Sequence, residues 1–189
     1  QYSSIETITG DFIGNSASFG GAIYNYGTIV SITGDFTGNT ANGDGGAIYN
    51  QGKISSITGD FTSNSVNGEN AYGGAIFNIG GTISSITGDF KGNSATSTVG
   101  PSSGGAIYNQ GTIGDIIGDF VGNSGSSGGA IHNVGTYIYN DGIYSYQYNT
   151  ISNINGDFIG NSASYGGAIY GQYSSIETIT GDFIGNSAS

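Results

Sequence analysis

Residues 28–50 read TIVSITGDFTGNTANGDGGAIYN, and the return of this stretch along the chain decides the fold. It holds two short runs rich in Ile and aromatics, TIVSIT and AIYN, each bounded by Gly or Asn. Such runs between turn residues read as strands of about three to five residues separated by tight turns. No segment carries a 3.6-residue apolar pattern long enough for a helix. The Phe of Gly-Asp-Phe recurs as Phe12, Phe36, Phe61, Phe90, Phe120, Phe158 and Phe183, at spacings of 24 to 38 residues. The Gly-Gly-Ala-Ile block recurs at Gly20, Gly45, Gly73, Gly104, Gly128 and Gly166. A longer period encloses the short one, because residues 172–189 repeat residues 1–18 letter for letter, a displacement of 171 residues.

Fixed periods of this size signal a stacked repeat architecture. The units are too short and too alike to bury separate cores as independent hairpins. Coiling solves the problem, since each strand then pairs in parallel with its equivalent one turn on, about 4.8 Å away. The expected fold is all-β: a three-sided parallel β-helix of six turns and a partial seventh. The bias of parallel crossovers makes it right-handed. The faces fall at Ile-x-x-Ile through Gly-Asp-Phe, at Gly-Gly-Ala-Ile-Tyr-Asn, and at a short Gly-Thr-Ile that leads into the first. Residues 1–189 read as one continuous solenoid segment of six units per super-repeat. The duplicated stretch suggests a window cut from something that continues, so both ends are expected to be uncapped.

Stacking turns equivalent positions into ladders. The Ile pairs (Ile5/Ile8, Ile29/Ile32, Ile54/Ile57, Ile83/Ile86, Ile113/Ile116, Ile151/Ile154) and the Phe column should fill the interior. Each such side chain contributes roughly 1.5–3 kcal/mol when buried. Three residues after each Phe stands Asn15, Asn39, Asn64, Asn93, Asn123, Asn161 or Asn186, a row able to hydrogen-bond the next turn's backbone or amide. The column after Gly-Gly-Ala-Ile reads Tyr24, Tyr49, Phe77, Tyr108, His132, Tyr170. His among aromatics suits a solvated surface, so this column is expected to face outward, with its hydroxyls in water and Ile23 and its equivalents inward.

Excursions are expected to project as loops 66–72 and 95–103. The longest unit holds residues 136–149, TYIYNDGIYSYQYN, whose Asn140-Asp141-Gly142 centre reads as a β-hairpin turn. Its arms carry Tyr137, Tyr139, Tyr144, Tyr146 and Tyr148, the candidate interaction residues, because Tyr suits interfaces.

Composition excludes several roles. Gly supplies 38 residues without a Gly-X-Y period, and there is one Pro, which excludes collagen. The only cations are Lys53 and Lys91, against a formal charge of −11, so the basic footprint of nucleic-acid binding is missing. Without Cys there are no disulfides or thiolate metal sites. No apolar run approaches the roughly 20 residues of a membrane helix, and membrane insertion by this segment is not expected. Asp11, Asp35, Asp60, Asp89, Asp119, Asp157 and Asp182 form one carboxylate row. Adjacent charges about 4.8 Å apart repel by about 0.9 kcal/mol in water, so partial protonation, backbone amides or a bound cation must compensate. Structural capping is the favoured reading and Ca²⁺ the alternative, although the Ca²⁺-binding nonapeptide pattern is absent. Acids spread along one row, with no Arg and no nucleophile elbow or phosphate loop, argue against an enzyme. The Thr9, Thr33, Thr58, Thr87 row breaks at Ile117 and Asn155, against ice binding.

Alternating Gly-Gly-Ala-Ile and Phe-x-x-Asn resembles the repeats of chlamydial polymorphic outer-membrane proteins and related surface β-helices. The resemblance covers essentially the whole chain and implies an exposed parallel β-helix, commonly used in adhesion. The chain departs from the family in its uniformity, in Gly-Asp before each Phe, in its 171-residue copy, and in lacking an autotransporter barrel. These departures move the expected function from an adhesin passenger toward a structural segment of an extracellular fibre or sheath, whose partners are copies of itself.

Overall fold

The computed structural model describes residues 3–140 and 142–189. Gln1, Tyr2 and Asp141, the last at the centre of the expected hairpin turn, lie outside the described residues. Helix is absent among those residues, and the main strands pair in parallel, each with its equivalent one unit on. The chain is a β-solenoid of about seven turns.

The Ile-x-x-Ile strands stack as Ser4–Thr9, Thr28–Thr33, Lys53–Thr58, then within Ile76–Thr87 and Ile107–Ile117, then Asn149–Asn155 and Ser174–Thr180. Two inward side chains three residues apart break the period of two that a flat strand demands. The ladder accommodates this by passing from Ile29↔Ile54 to Ser31↔Ser56, leaving Val30 out of register and exposed. Both Ile29 and Ile32 are thereby buried.

Ile76–Thr87 and Ile107–Ile117 are unbroken strands running from Gly-Gly-Ala-Ile into Ile-x-x-Ile. The expected second face and the Ile-x-x-Ile run of the first therefore belong to one sheet, and the Gly-Thr-Ile segment leads directly from one into the other. Asn78-Ile79-Gly80-Gly81-Thr82 has one residue more than Asn109-Gln110-Gly111-Thr112. The register shifts between Ile79 and Thr82, where Gly80 sits at φ +66°.

Phe is placed differently from expectation. Gly-Asp is a corner, not part of the Ile face, and each Phe begins a two-residue strand in a separate seven-stranded sheet. The corner needs Gly: Gly88 lies at φ +148°, and a Cβ there would strike the Gly59 carbonyl oxygen of the adjacent turn. The third side is a narrow ladder of Ser16–Ala17, Thr40–Ala41, Ser65–Gly68 and Ser94–Ser97.

The interior holds the Ile pairs, the Phe column, the Ile of each Gly-Gly-Ala-Ile and its preceding Ala. Phe36, Phe61, Phe90, Phe120 and Phe158 are fully buried. Their rings lie 4.6 to 4.8 Å apart and within 3° of parallel. The excursions at 66–72 and 95–103 do not project separately. They pair with one another in parallel and bury Ala41, Val66, Ala71 and Ala95 in a small satellite core. The outermost turns stay in register: Ile5 pairs Ile29 and Phe183 pairs Phe158, yet Ile5 is 47% exposed and Phe183 53%.

Candidate functional site

Two asparagine ladders run inside the solenoid. In the first, Asn39 donates Nδ2 to Asn64 Oδ1 at 2.9 Å and to the Phe12 carbonyl at 2.8 Å, while its backbone amide donates to the same Asn64 Oδ1 at 3.0 Å. The pattern repeats from Asn15 to Asn186. Asn39, Asn64, Asn93, Asn123 and Asn161 are wholly buried. The second ladder, Asn25–Asn50–Asn78–Asn109–Asn133, closes the AIYN strand through Nδ2–Oδ1 bonds of 2.7 to 2.8 Å. Sequence reasoning passed over this row as turn punctuation. Its signal was available, because Asn closes five of the six blocks and only Gly171 breaks the series.

The carboxylate row is built the same way. Asp11 Oδ1 accepts the backbone amide of Asp35 at 3.0 Å, and each later Asp accepts that of its successor at 2.8 to 2.9 Å, through Asp182. An amide dipole thus meets the carboxylates of Asp11, Asp35, Asp60, Asp89, Asp119 and Asp157, and the corner amide of the next turn gains a partner. Lys91 donates to Asp89 Oδ2 at 2.8 Å and holds that carboxyl below its ordinary range. Exposure of this pair keeps its contribution to stability small. Ca²⁺ takes six to eight oxygens, whereas the row offers one carboxylate per turn. No three acidic or His side chains converge among the described residues.

The aromatic column leaves the coil outward, as expected, but it does not face water along its length. Tyr24 is 55% exposed, whereas Phe77 and His132 are buried. A second layer covers the column, built from residues that precede Gly-Gly. Phe19 meets Tyr49 edge-on at 5.6 Å, Tyr72 packs on Phe77 and on Tyr108 at 4.9 Å, and Tyr165 lies 6.5 Å from Tyr170. The inference from His132 to a solvated surface is thereby corrected. His132 sits between Tyr108 and Tyr170 with both ring nitrogens unpartnered, and burial pushes its pKa down to about 4. Burial also raises Tyr108 to about 12. Asp44 occupies the covering layer beside Tyr72, and desolvation lifts its carboxyl to about 6. Nothing in its sequence context marks it, since its equivalents are Phe19, Tyr72, Ser103, Ser127 and Tyr165.

The longest unit forms an antiparallel hairpin of Thr136–Asn140 and Ile143–Gln147, pairing Tyr137 with Tyr146 and Tyr139 with Tyr144. Its base is tied down by buried Asn149, which donates to the Val134 carbonyl at 2.7 Å and to Thr136 Oγ1 at 2.9 Å. Tyr137, Tyr139, Tyr144 and Tyr146 form one exposed cluster with neighbouring rings 4.6 to 5.2 Å apart. Tyr148 lies beyond the paired arms and is 67% exposed. Tyr173, from outside the hairpin, stacks on Tyr146 at 3.7 Å and 12°. An open groove of about 390 Å³ runs beneath this stack, lined by Val134, Gly135, Tyr137, Tyr146, Gln172 and Tyr173.

Among curated proteins and among solved structures nothing matches the chain. The family model of the Chlamydia polymorphic membrane protein (Chlamydia_PMP) repeat matches residues 10–26, 34–51, 88–110 and 155–172. Each match runs from the Gly-Asp-Phe corner through the strand after Gly-Gly, so it spans the Phe stack, the first Asn ladder and the aromatic column, and the first three also span the second Asn ladder. The unit with Ser63 in place of Gly and the unit with His132 fall outside the matches. The family is one of outer-membrane-associated proteins, consistent with a place at the cell surface. Four of the chain's repeats are thus similar to the Chlamydia polymorphic membrane protein repeat.

Proposed function

We propose that this chain is a structural segment of an extracellular fibre, sheath or giant surface protein. It assembles by end-to-end β-stacking, without a catalytic centre or cofactor. The carrying observation is that the Ile, Phe and first Asn columns run in register from turn to turn. The Phe stack continues through Phe158–Phe183 at 4.7 Å, and the first Asn ladder continues through Asn161–Asn186. A coil in which each turn repeats the contacts of the one before can be lengthened by further copies of the unit without a change of geometry. Sedimentation velocity against concentration tests this reading: growing end-to-end oligomers are expected, and a monomer at millimolar concentration contradicts it.

The adhesin reading draws on the exposed Tyr cluster of the hairpin. Stacked phenol rings offer large amphipathic contact area at low entropic cost. Replacing Tyr139 and Tyr144 by Ser separates the readings. Loss of binding to host-cell surfaces with assembly intact favours the adhesin, whereas unchanged binding counts against it.

A further inference from the structure

We infer that Tyr146 and Tyr173 form an oxidative cross-linking site, where hydrogen peroxide acting through a peroxidase couples the two rings into dityrosine and staples the hairpin to the following turn. The inference is independent of end-to-end assembly.

Composition directs oxidation to phenol. The chain has 14 Tyr and no Cys, Met or Trp, so the sulfur side chains that oxidants readily consume are missing. Five of the tyrosines form one continuous series. Ring centroids lie 4.6 Å apart for Tyr139–Tyr144, 5.2 Å for Tyr144–Tyr137 and for Tyr137–Tyr146, and 3.7 Å for Tyr146–Tyr173. All five rings are exposed, so an oxidant reaches any of them and the phenol proton leaves to water. A radical formed anywhere in the series passes from ring to neighbouring ring. Two radicals meet most readily at the closest pair.

Backbone contacts, not side chains alone, set that closeness. Gly135, at the foot of the hairpin, donates its amide to the Gln172 carbonyl at 2.8 Å, and an added Cβ at Gly135 would strike the Tyr173 carbonyl oxygen. Asn149 fixes the other foot through the Val134 carbonyl and Thr136 Oγ1. Tyr173 itself holds φ +51°, a left-handed conformation that costs a non-Gly residue free energy. The competing pair is Tyr24 with Tyr49, stacked at 4.7 Å. Those two residues are partners in a parallel ladder, which holds their rings at the strand spacing. Tyr146 pairs with Tyr137 across the hairpin and shares no ladder with Tyr173, so their rings rest in direct contact.

The coupling balances with peroxide alone. Each phenol gives up one electron and its proton. The two radicals join through the carbon ortho to each oxygen, making one C–C bond. Each ortho hydrogen then leaves as a proton while a proton returns to each oxygen, which restores both phenols. The two electrons and two protons released overall cleave the O–O bond of one hydrogen peroxide and yield two waters. Both rings stand at the surface and can turn from face-to-face into the edge-to-edge arrangement that the new bond requires. The product closes the chain covalently between residues 146 and 173, as a disulfide would in a chain with cysteines.

Peroxidase and hydrogen peroxide, applied to the dilute full chain, test the site. The expected product is a monomer lighter by two hydrogens, with dityrosine fluorescence and a protease digest in which Tyr146 and Tyr173 peptides are joined. Tyr146→Phe and Tyr173→Phe, which keep the ring and remove the phenol, are each expected to cut the monomer's dityrosine severalfold. Tyr24→Phe is expected to leave it unchanged. Circular dichroism reports that the variants fold, and the digest of the unsubstituted chain maps the link without any variant. A monomer without dityrosine, a yield that survives both variants, a digest joining Tyr24 to Tyr49 instead, or links found only between molecules would each overturn the inference.

Discussion

The backbone amide of Asn64 and its side-chain amide both donate to one atom, Asn93 Oδ1, at 3.0 Å each. The Asn93 Nδ2 in turn serves the Phe61 carbonyl and Asn123 Oδ1. Asn93 is wholly buried, so no water replaces a lost partner. Asn93→Asp keeps the shape but turns a donor into an acceptor facing two oxygens. A destabilisation of about 3–5 kcal/mol is expected at pH 7, measured by urea unfolding. A loss below about 1 kcal/mol would show that the ladder does not hold the turns together.

His132 makes stability sensitive to acid. Its pKa falls from 6.5 to about 4 on folding, so the folded state favours the neutral ring. Its contribution is fully present above pH 6.5 and is lost as pH falls toward 4, by up to about 3 kcal/mol. His132→Phe, which copies Phe77, should abolish that part of the slope and raise stability at pH 7 as well, because two unpartnered buried nitrogens disappear. Urea midpoints of both proteins between pH 4 and 7 would reveal it.

Asp44 acts with the opposite sign. Its carboxyl rises from 3.8 to about 6 on folding, so its favourable contribution is present below about pH 4 and is lost as pH rises through 6. Asp44→Asn should therefore stabilise the protein at pH 7.5 and lose that advantage near pH 4. Solvent still reaches this carboxylate, so screening limits the gain to about 1 kcal/mol. Thermal midpoints at the two pH values provide the comparison.

Ser63 is a non-Gly residue at a left-handed position, φ +55°, where its column otherwise carries Gly14, Gly38, Gly92, Gly122, Gly160 and Gly185 at about +60°. Relief of that strain should make Ser63→Gly more stable by about 1 kcal/mol. Gly92→Ser should cost a similar amount, since the only atom near an added Cβ is Ser63 Oγ at 3.8 Å. Melting temperatures moving in opposite directions would bear this out.

The period, the Phe column and the inward Ile pairs were legible because stacking converts a sequence repeat directly into a spatial one. Residues that meet only their own equivalents reveal their role by recurring, and Phe36, Phe61 and Phe90 do so. The contacts that break this rule were hidden. Tyr72 covers Phe77 and Tyr108 from a loop of variable length, so no column announces that His132 is dry. Tyr173 reaches Tyr146 across 27 residues through a hairpin present once. The Gly-Asp corner was misplaced because a Gly that admits a neighbouring carbonyl looks, in sequence, like a Gly inside a loop.

Electron cryo-microscopy of the concentrated protein tests the central claim, that copies continue one another's columns. The account predicts filaments one solenoid wide, with strands about 4.8 Å apart along the axis and an axial repeat of six turns, about 29 Å. Isolated particles at every concentration, or filaments whose strands run along the axis instead of across it, would contradict it.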